Sequence, residues 1–236
     1  RIKMKNTILY IVSYINTVFY KISLRNTLLV EKSRFTFVKI SEVRKDKNKI
    51  KIYFSSLEKS NLYVKGNNNE IDINGALIEN SQISITGSNN RLSIAKNTKI
   101  RQVIINMRGN NCVIEIGENT SFGGARIVNV GIDNSVHIGK NCVFSDHIEV
   151  WASDTHSIFN DEAVMINHEK PIIIKDSVWV GSRVTILKGV TVGQGCVIGM
   201  GSMVLKDIEP YTINVGSPSK KVKESIKWKL NYKGIQ

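Results

Sequence analysis

Four histidines stand at positions 137, 147, 156 and 168, and His156 has the setting best suited to acid–base work. It lies in the polar run Ser153-Asp154-Thr155-His156-Ser157. An imidazole titrates near neutrality, so from there it can take a proton from a hydroxyl group. Asp154 is near enough along the chain to orient the ring or meet a substrate. His168, in Ile166-Asn167-His168-Glu169-Lys170-Pro171, is a second candidate for shaping the same region or touching a substrate. His137 stands between Val136 and Ile138, where alternation turns it outward without a role. A zinc site needs three histidines that converge, and spacings of 10, 9 and 12 residues do not supply them. No metal is expected. Trp179 comes one residue before an inward Val180, so its indole faces outward with an N–H able to steady a developing oxyanion. Lys206, Lys220, Lys221 and Lys223 gather positive charge of the kind that meets phosphate groups. For each of these residues the alternative is a solvated or merely packed surface side chain.

The elements that must hold these side chains follow from a period of six. Ile174, Val180, Ile186, Val192, Ile198 and Val204 recur without a miss, and Val178, Val184, Val190, Cys196 and Ser202 follow each of the first five at four residues. Neither a helix nor a simple strand has that period. It fits a chain that turns a corner after each short strand and points one residue of six into a shared core. Three such units make one turn of a triangular parallel β-helix. Gly181, Gly193 and Gly199 suit corners with tight or positive-φ backbone.

A wider repeat precedes it. The pairs Ile50/Ile52, Ile71/Ile73, Leu92/Ile94, Ile114/Ile116 and Val136/Ile138 are separated by 21, 21, 22 and 22 residues, with Asn-rich turns between them. Asn tolerates left-handed backbone and marks the corners. These are larger coils of the same rod, seven or eight in all. The rhythm breaks once, at residues 151–171, and a loop thrown out of a uniform rod is where such a protein keeps its chemistry. Residues 7–23 carry Ile8, Ile11, Val12, Ile15, Phe19 and Ile22 at helical spacing, which predicts an amphipathic helix capping the rod. Contact with a membrane surface is the lesser alternative. The run is too short and polar to span a bilayer and lacks a cleavage site, so the chain is expected in the cytoplasm. A short helix is expected within 217–230. The expected fold is mainly β: a left-handed parallel β-helix at 46–208 with an extruded loop, an N-terminal segment at 1–45 and a basic tail at 209–236.

The chain has 236 residues, of which 42% are hydrophobic, enough for one continuous core. Its net charge of +13 calls for an anionic partner. Aromatics are 7% and are not interleaved with Lys/Arg, so nucleic acid is not expected. The three cysteines sit far apart among aliphatic neighbours, as buried hydrophobes in a reducing compartment do.

Taken together, Asp-x-His in the loop, Val178-Trp179-Val180-Gly181-Ser182, the six-residue repeats and the tail resemble the hexapeptide-repeat O-acetyltransferases. The order THSIF (155–159), INHEKPIIIKDSVWVGSRVTILKGV (166–190) and GSPSKKVKESIKW (216–228) is most similar to the bacterial capsule enzymes that modify polysialic acid. This resemblance covers residues 130–228; the wide coils agree in style, and the N-terminal segment is unmatched. It implies an acetyl-CoA-dependent O-acetyltransferase acting on a capsular or surface polysaccharide. It implies His156 as general base and Trp179 at the junction of donor and acceptor. Ser182 and Met200 would line the pantetheine arm with Lys206 beside its end, and Lys220 and Lys223 would meet the CoA phosphates. Family members are trimers with the site between subunits. The alternatives are a small acceptor (a simple sugar, an amino sugar or an antibiotic) and a non-catalytic scaffold or glycan-binding module.

Overall fold

The computed structural model describes residues 9–12, 18–21, 27–43 and 47–231. Among them every regular element is a β-strand. Successive strands pass to successive faces of a triangular prism, so every strand but the last, Lys220–Lys223, pairs in parallel with the one a full coil away. Among the described residues two faces carry nine strands each and the other ten. The first face includes Lys49–Tyr53, Glu70–Asn74, Arg91–Ile94, Val113–Ile116, Ser135–Ile138 and Ile172–Ile174. The second includes Leu77–Glu79, Lys99–Arg101, Val143–Phe144, Trp179–Val180, Val197–Ile198 and Ile213–Val215. The third includes Asn61–Lys65, Gln82–Ser88, Val103–Asn110, Ala125–Ile132, Ile148–Trp151 and Thr185–Leu187. The seven first-face rungs from Lys49–Tyr53 to Thr191–Val192 are the coils that the repeats predict, and two more precede them.

Like stacks on like. Ile50, Ile71, Leu92, Ile114, Val136 and Ile172 lie one above another in direct register, and all are 2% exposed or less. The six-residue positions are equally closed: Ile174, Val180, Ile186, Val192, Ile198 and Val204 are at most 1% exposed. Corners are held by polar columns running down the rod. Asn69 donates to Asn48 and accepts from the backbone N–H and side-chain amide of Asn90, each at 3.0 Å. Corner asparagines at 68, 89, 97, 111, 119 and 141 have φ between 54° and 59°, the left-handed backbone that Asn accepts. Gly181, Gly193 and Gly199, by contrast, are needed for close approach rather than positive φ: a Cβ on Gly193 would lie 2.5 Å from the backbone of Pro210.

Where the third face of the wide coils turns toward the first, Gly66, Gly87, Gly109 and Gly131 form a column with φ of 118–139°. A Cβ on Gly66, Gly87 or Gly109 would fall 1.7–1.8 Å from the carbonyl oxygen of the next glycine in the column. No side chain fits there.

Two expected helices are replaced by strands. Leu9–Val12 pairs with Thr27–Glu31, register setting Leu9 and Ile11 over Leu28 and Val30, and Val18–Lys21 pairs with Val38–Val43. The rest of 7–23 lies outside the described residues. At the other end Lys220–Lys223 runs antiparallel to Ile213–Val215, and no helix follows it among the described residues. An open rung edge offers a full row of backbone partners, which outweighs weak helical spacing. No described helix is long and apolar enough to cross a membrane.

Gly109→Ala is expected to abolish the cooperative thermal transition followed by circular dichroism, because the added methyl overlaps backbone that cannot retreat. Asn69→Leu strips an acceptor from the buried N–H of Asn90 and should lower unfolding free energy by about 3 kcal/mol in denaturant titrations.

Candidate functional site

The third-face strand Ile148–Trp151 meets the same corner as the glycine column, but the chain does not turn there. It leaves the rod and rejoins it at Ile172–Ile174. Inside the loop Phe159 and Met165 form an antiparallel bridge, closed by Asn160, whose side chain accepts from the N–H groups of Glu162 and Val164. The tip is apolar and uncovered: Ile158, Phe159, Val164 and Ile166 are more than half exposed.

Three contacts tie the loop base to the rod. Glu169 accepts the Ile132 N–H at 2.8 Å, beside Gly131, where the glycine column ends. That backbone hydrogen bond holds its carboxyl below the ordinary range. Lys188, on the same corner two rungs beyond Gly131, donates to Asp154 at 2.6 Å and to the Asn167 carbonyl at 2.8 Å. The lysine bond, helped by Asn167, depresses the Asp154 carboxyl in the same way. Asn167 then donates to Asp154 and to the His156 carbonyl, both at 2.8 Å, and accepts the Ile158 N–H. Asp154 therefore serves the loop base and makes no hydrogen bond to the imidazole. The backbone of His156 is fixed, while its exposed ring bonds to no described residue. Such an imidazole is held in place yet available to a ligand.

His156 stands on the rim of a groove of about 420 Å³ on the third face, with Asn106, Arg108, Arg126, Val128 and Trp151 among its lining. The Trp151 indole donates to Glu149 at 2.6 Å. Trp151, Arg108, Arg126, Asn167 and Lys188 were not singled out by motif. Their signal is positional: Trp151 opens the loop, and the 22-residue period places Asn106 and Val128 beside it on one outward column.

Trp179 lies on the second face, 41% exposed, and so apart from the third-face groove within one chain. Its ring meets Trp228 at 5.9 Å between centroids, and Trp228 donates to the Ser177 carbonyl at 2.7 Å, so the tail braces it. Ser182 and Met200 stack on the corner between second and third faces; the Ser182 hydroxyl donates to Asp146, and Met200 is exposed. Asp146 is held low chiefly by that hydroxyl. Lys206 is exposed on the corner between third and first faces. Lys220 and Lys223 flank Lys221, which alone of the three is paired among the described residues, with Glu209 at 2.6 Å and Glu224 at 3.2 Å. Among the described residues the hexapeptide end therefore carries unpaired cations suited to phosphate. His168 is exposed in the loop, and His137 bonds to Glu115 on the first face at 3.0 Å. Among the described residues no cluster of His, Cys, Asp and Glu could hold a metal ion.

Comparison with known proteins agrees with this geometry. The family described as bacterial transferase hexapeptide (six repeats) matches residues 171–206. The solved polySia-specific acetyltransferase NeuO superposes with a TM-score of 0.69 at 30% identity, over 92% of this chain and 90% of that one. The polysialic acid O-acetyltransferase OatWY superposes with a TM-score of 0.62 at 25% identity, over 94% and 93%. The polysialic acid O-acetyltransferase of Escherichia coli O1:K1 / APEC is 37% identical over 136 residues, 57% of this chain and 43% of that protein. The chain spans 43–63% of the lengths of the curated relatives it matches. Six-residue stacking at one end, wide coils at the other and likeness along nearly the whole rod place this chain in the hexapeptide-repeat transferase family, close to the polysialic acid O-acetyltransferases.

Proposed function

We propose that the chain is an acetyl-CoA-dependent O-acetyltransferase that modifies a hydroxyl of an acidic bacterial capsular or surface polysaccharide, of the sialic acid type, inside the cytoplasm. The observation that carries this is the His156 imidazole, fixed through its backbone, unbonded at its ring by any described residue and set on the rim of a basic groove. The imidazole takes the acceptor hydroxyl proton as that oxygen attacks the thioester carbonyl. The tetrahedral oxyanion is met by N–H donors, with the Trp179 indole a candidate, and the C–S bond breaks. The CoA thiolate leaves with the proton returned by the imidazolium. Ser182 and Met200 offer a corner for the pantetheine arm, Lys206 its end, and Lys220 and Lys223 suit the nucleotide phosphates. As lysines they act as point charges without the bidentate fork of arginine.

Because His156 and Trp179 stand on different faces of one prism, the reading places the reaction between copies, in a homotrimer. The uncovered apolar loop tip supports such a neighbour. Light scattering is expected to give three chains per particle.

His156→Ala should lower kcat by ~10²–10⁴-fold with an unchanged melting temperature, measured as CoA thiol release in the presence of polysialic acid. Near-normal turnover would remove His156 from the role. Lys188→Met keeps the bulk but cuts the bonds to Asp154 and Asn167. It should cost about ten- to a hundredfold in kcat through misplacement of His156, and open the loop to limited proteolysis. Asp154 and Glu169 both have folded-state values below their unfolded ones. Their contribution is thus fully present above the ordinary carboxylate range and disappears as pH falls through the lowered values. Hydrogen exchange at the Ile132 amide should accordingly rise only below about pH 4.

A further inference from the structure

The three faces differ in how they treat charge. On the first, outward basic side chains meet acids from rung to rung: Lys51 reaches Glu70 at 2.8 Å, Arg91 pairs with Glu115, and the His137 ring hydrogen-bonds to the same carboxylate. On the second, Arg101 reaches Glu79 at 3.3 Å. The third face breaks this habit. Its four rungs Asn61–Lys65, Gln82–Ser88, Val103–Asn110 and Ala125–Ile132 contain no Asp or Glu. Lys65, Arg108 and Arg126 are exposed there, and none has an ion pair among the described residues. The next carboxylate along the face, Glu149, lies in register with Arg126 but accepts the Trp151 indole instead.

Register also sets one outward column down the middle of this face: Tyr63, Ser84, Asn106, Val128 and Trp151. Small or flat side chains lie between an aromatic at each end, which makes a trough. Four rung spacings give it a length of about 19 Å, and His156 stands at its Trp151 end. A chain with a carboxylate on each sugar fits this arrangement. Its charges meet Lys65, Arg108 and Arg126, its ring faces stack on Tyr63 and Trp151, and its direction is that of the rod axis.

We propose that the third face of the wide coils is a rail that holds an anionic polysaccharide lengthwise and feeds its hydroxyls to His156. The proposal rests on the acetyl-transfer reading for its purpose, but binding to the rail needs no acetyl donor. It predicts selection by length, because a disaccharide cannot reach from Trp151 to Lys65.

Calorimetry on the full chain without acetyl-CoA, titrated with polysialic acid, a sialic acid dimer and neutral dextran, tests it. Polysialic acid should bind at least about tenfold more tightly than the dimer, weaken as salt rises, and outcompete dextran, which should not bind. The double variant Arg108→Ser/Arg126→Ser should bind the polymer about tenfold more weakly, while Lys99→Ser/Lys175→Ser, which removes equal charge elsewhere, should match the parent chain. Equal binding of dimer and polymer overturns the rail, and so does equal loss in both double variants. Should the first variant fail to fold, the length comparison on the parent chain decides alone. A parent chain that binds the polymer by length but releases no CoA thiol leaves the rail standing and overturns the acetyl-transfer reading. One that releases thiol with every acceptor alike does the reverse.

Discussion

Each rung of this molecule must hand its N–H and C=O groups to the rungs on either side, in register, at one strand spacing. The rest of the structure follows from that requirement. A coil cannot lengthen by itself, because an added residue would displace every inward side chain that follows and leave buried backbone groups unpaired. An added residue must therefore recur in every neighbouring coil or leave the rod. The wide coils show the first outcome, with matched third-face rungs and a column of glycines where carbonyl oxygens allow no Cβ. The loop at 151–171 shows the second.

The candidate site arises where those outcomes meet. Gly131 is the last of the wide corners, and the coil after it has no equivalent turn to stack there. The loop returns a carboxylate, Glu169, to take the Ile132 N–H that would otherwise face water. Two rungs beyond Gly131 the narrow corner presents Lys188, which closes on Asp154 and Asn167. A change of coil width thus leaves unsatisfied groups on both sides of one corner, and their satisfaction anchors the loop that carries His156. Stability and placement of the imidazole come from the same contacts.

Charge is divided between the faces in a way that the core does not require. Inward positions are overwhelmingly apolar on all three, aliphatic for the most part with Phe35, Phe122 and Phe144 on the second face, so the core does not dictate the outward pattern. Faces one and two use that freedom for ion pairs between rungs, which contribute little in water. Face three leaves Lys65, Arg108 and Arg126 unpaired among the described residues, at a small cost in mutual repulsion, beside the groove that His156 borders. Among the described residues the hexapeptide end likewise keeps Lys206, Lys220 and Lys223 unpaired while Lys221 is neutralised by Glu209 and Glu224.

What the sequence by itself determined is whatever repeats or breaks a repeat. Ile174 to Val204 and the paired aliphatics of the wide coils could be read as core because each sits in the same environment one coil away, and the asparagines as corners because few residues accept φ near +55°. The loop and its histidine were legible as the single interruption. Only the tertiary structure decided the rest. Residues 9–12 and 18–21 are strands, since an open rung edge supplies backbone partners that helical spacing cannot register. Lys188 finds Asp154 across 34 residues, and Arg108, Arg126 and Trp151 share a groove. Trp179 and His156 fall on different faces. Such pairings depend on which corners stack above which, and no local pattern of residue types records that.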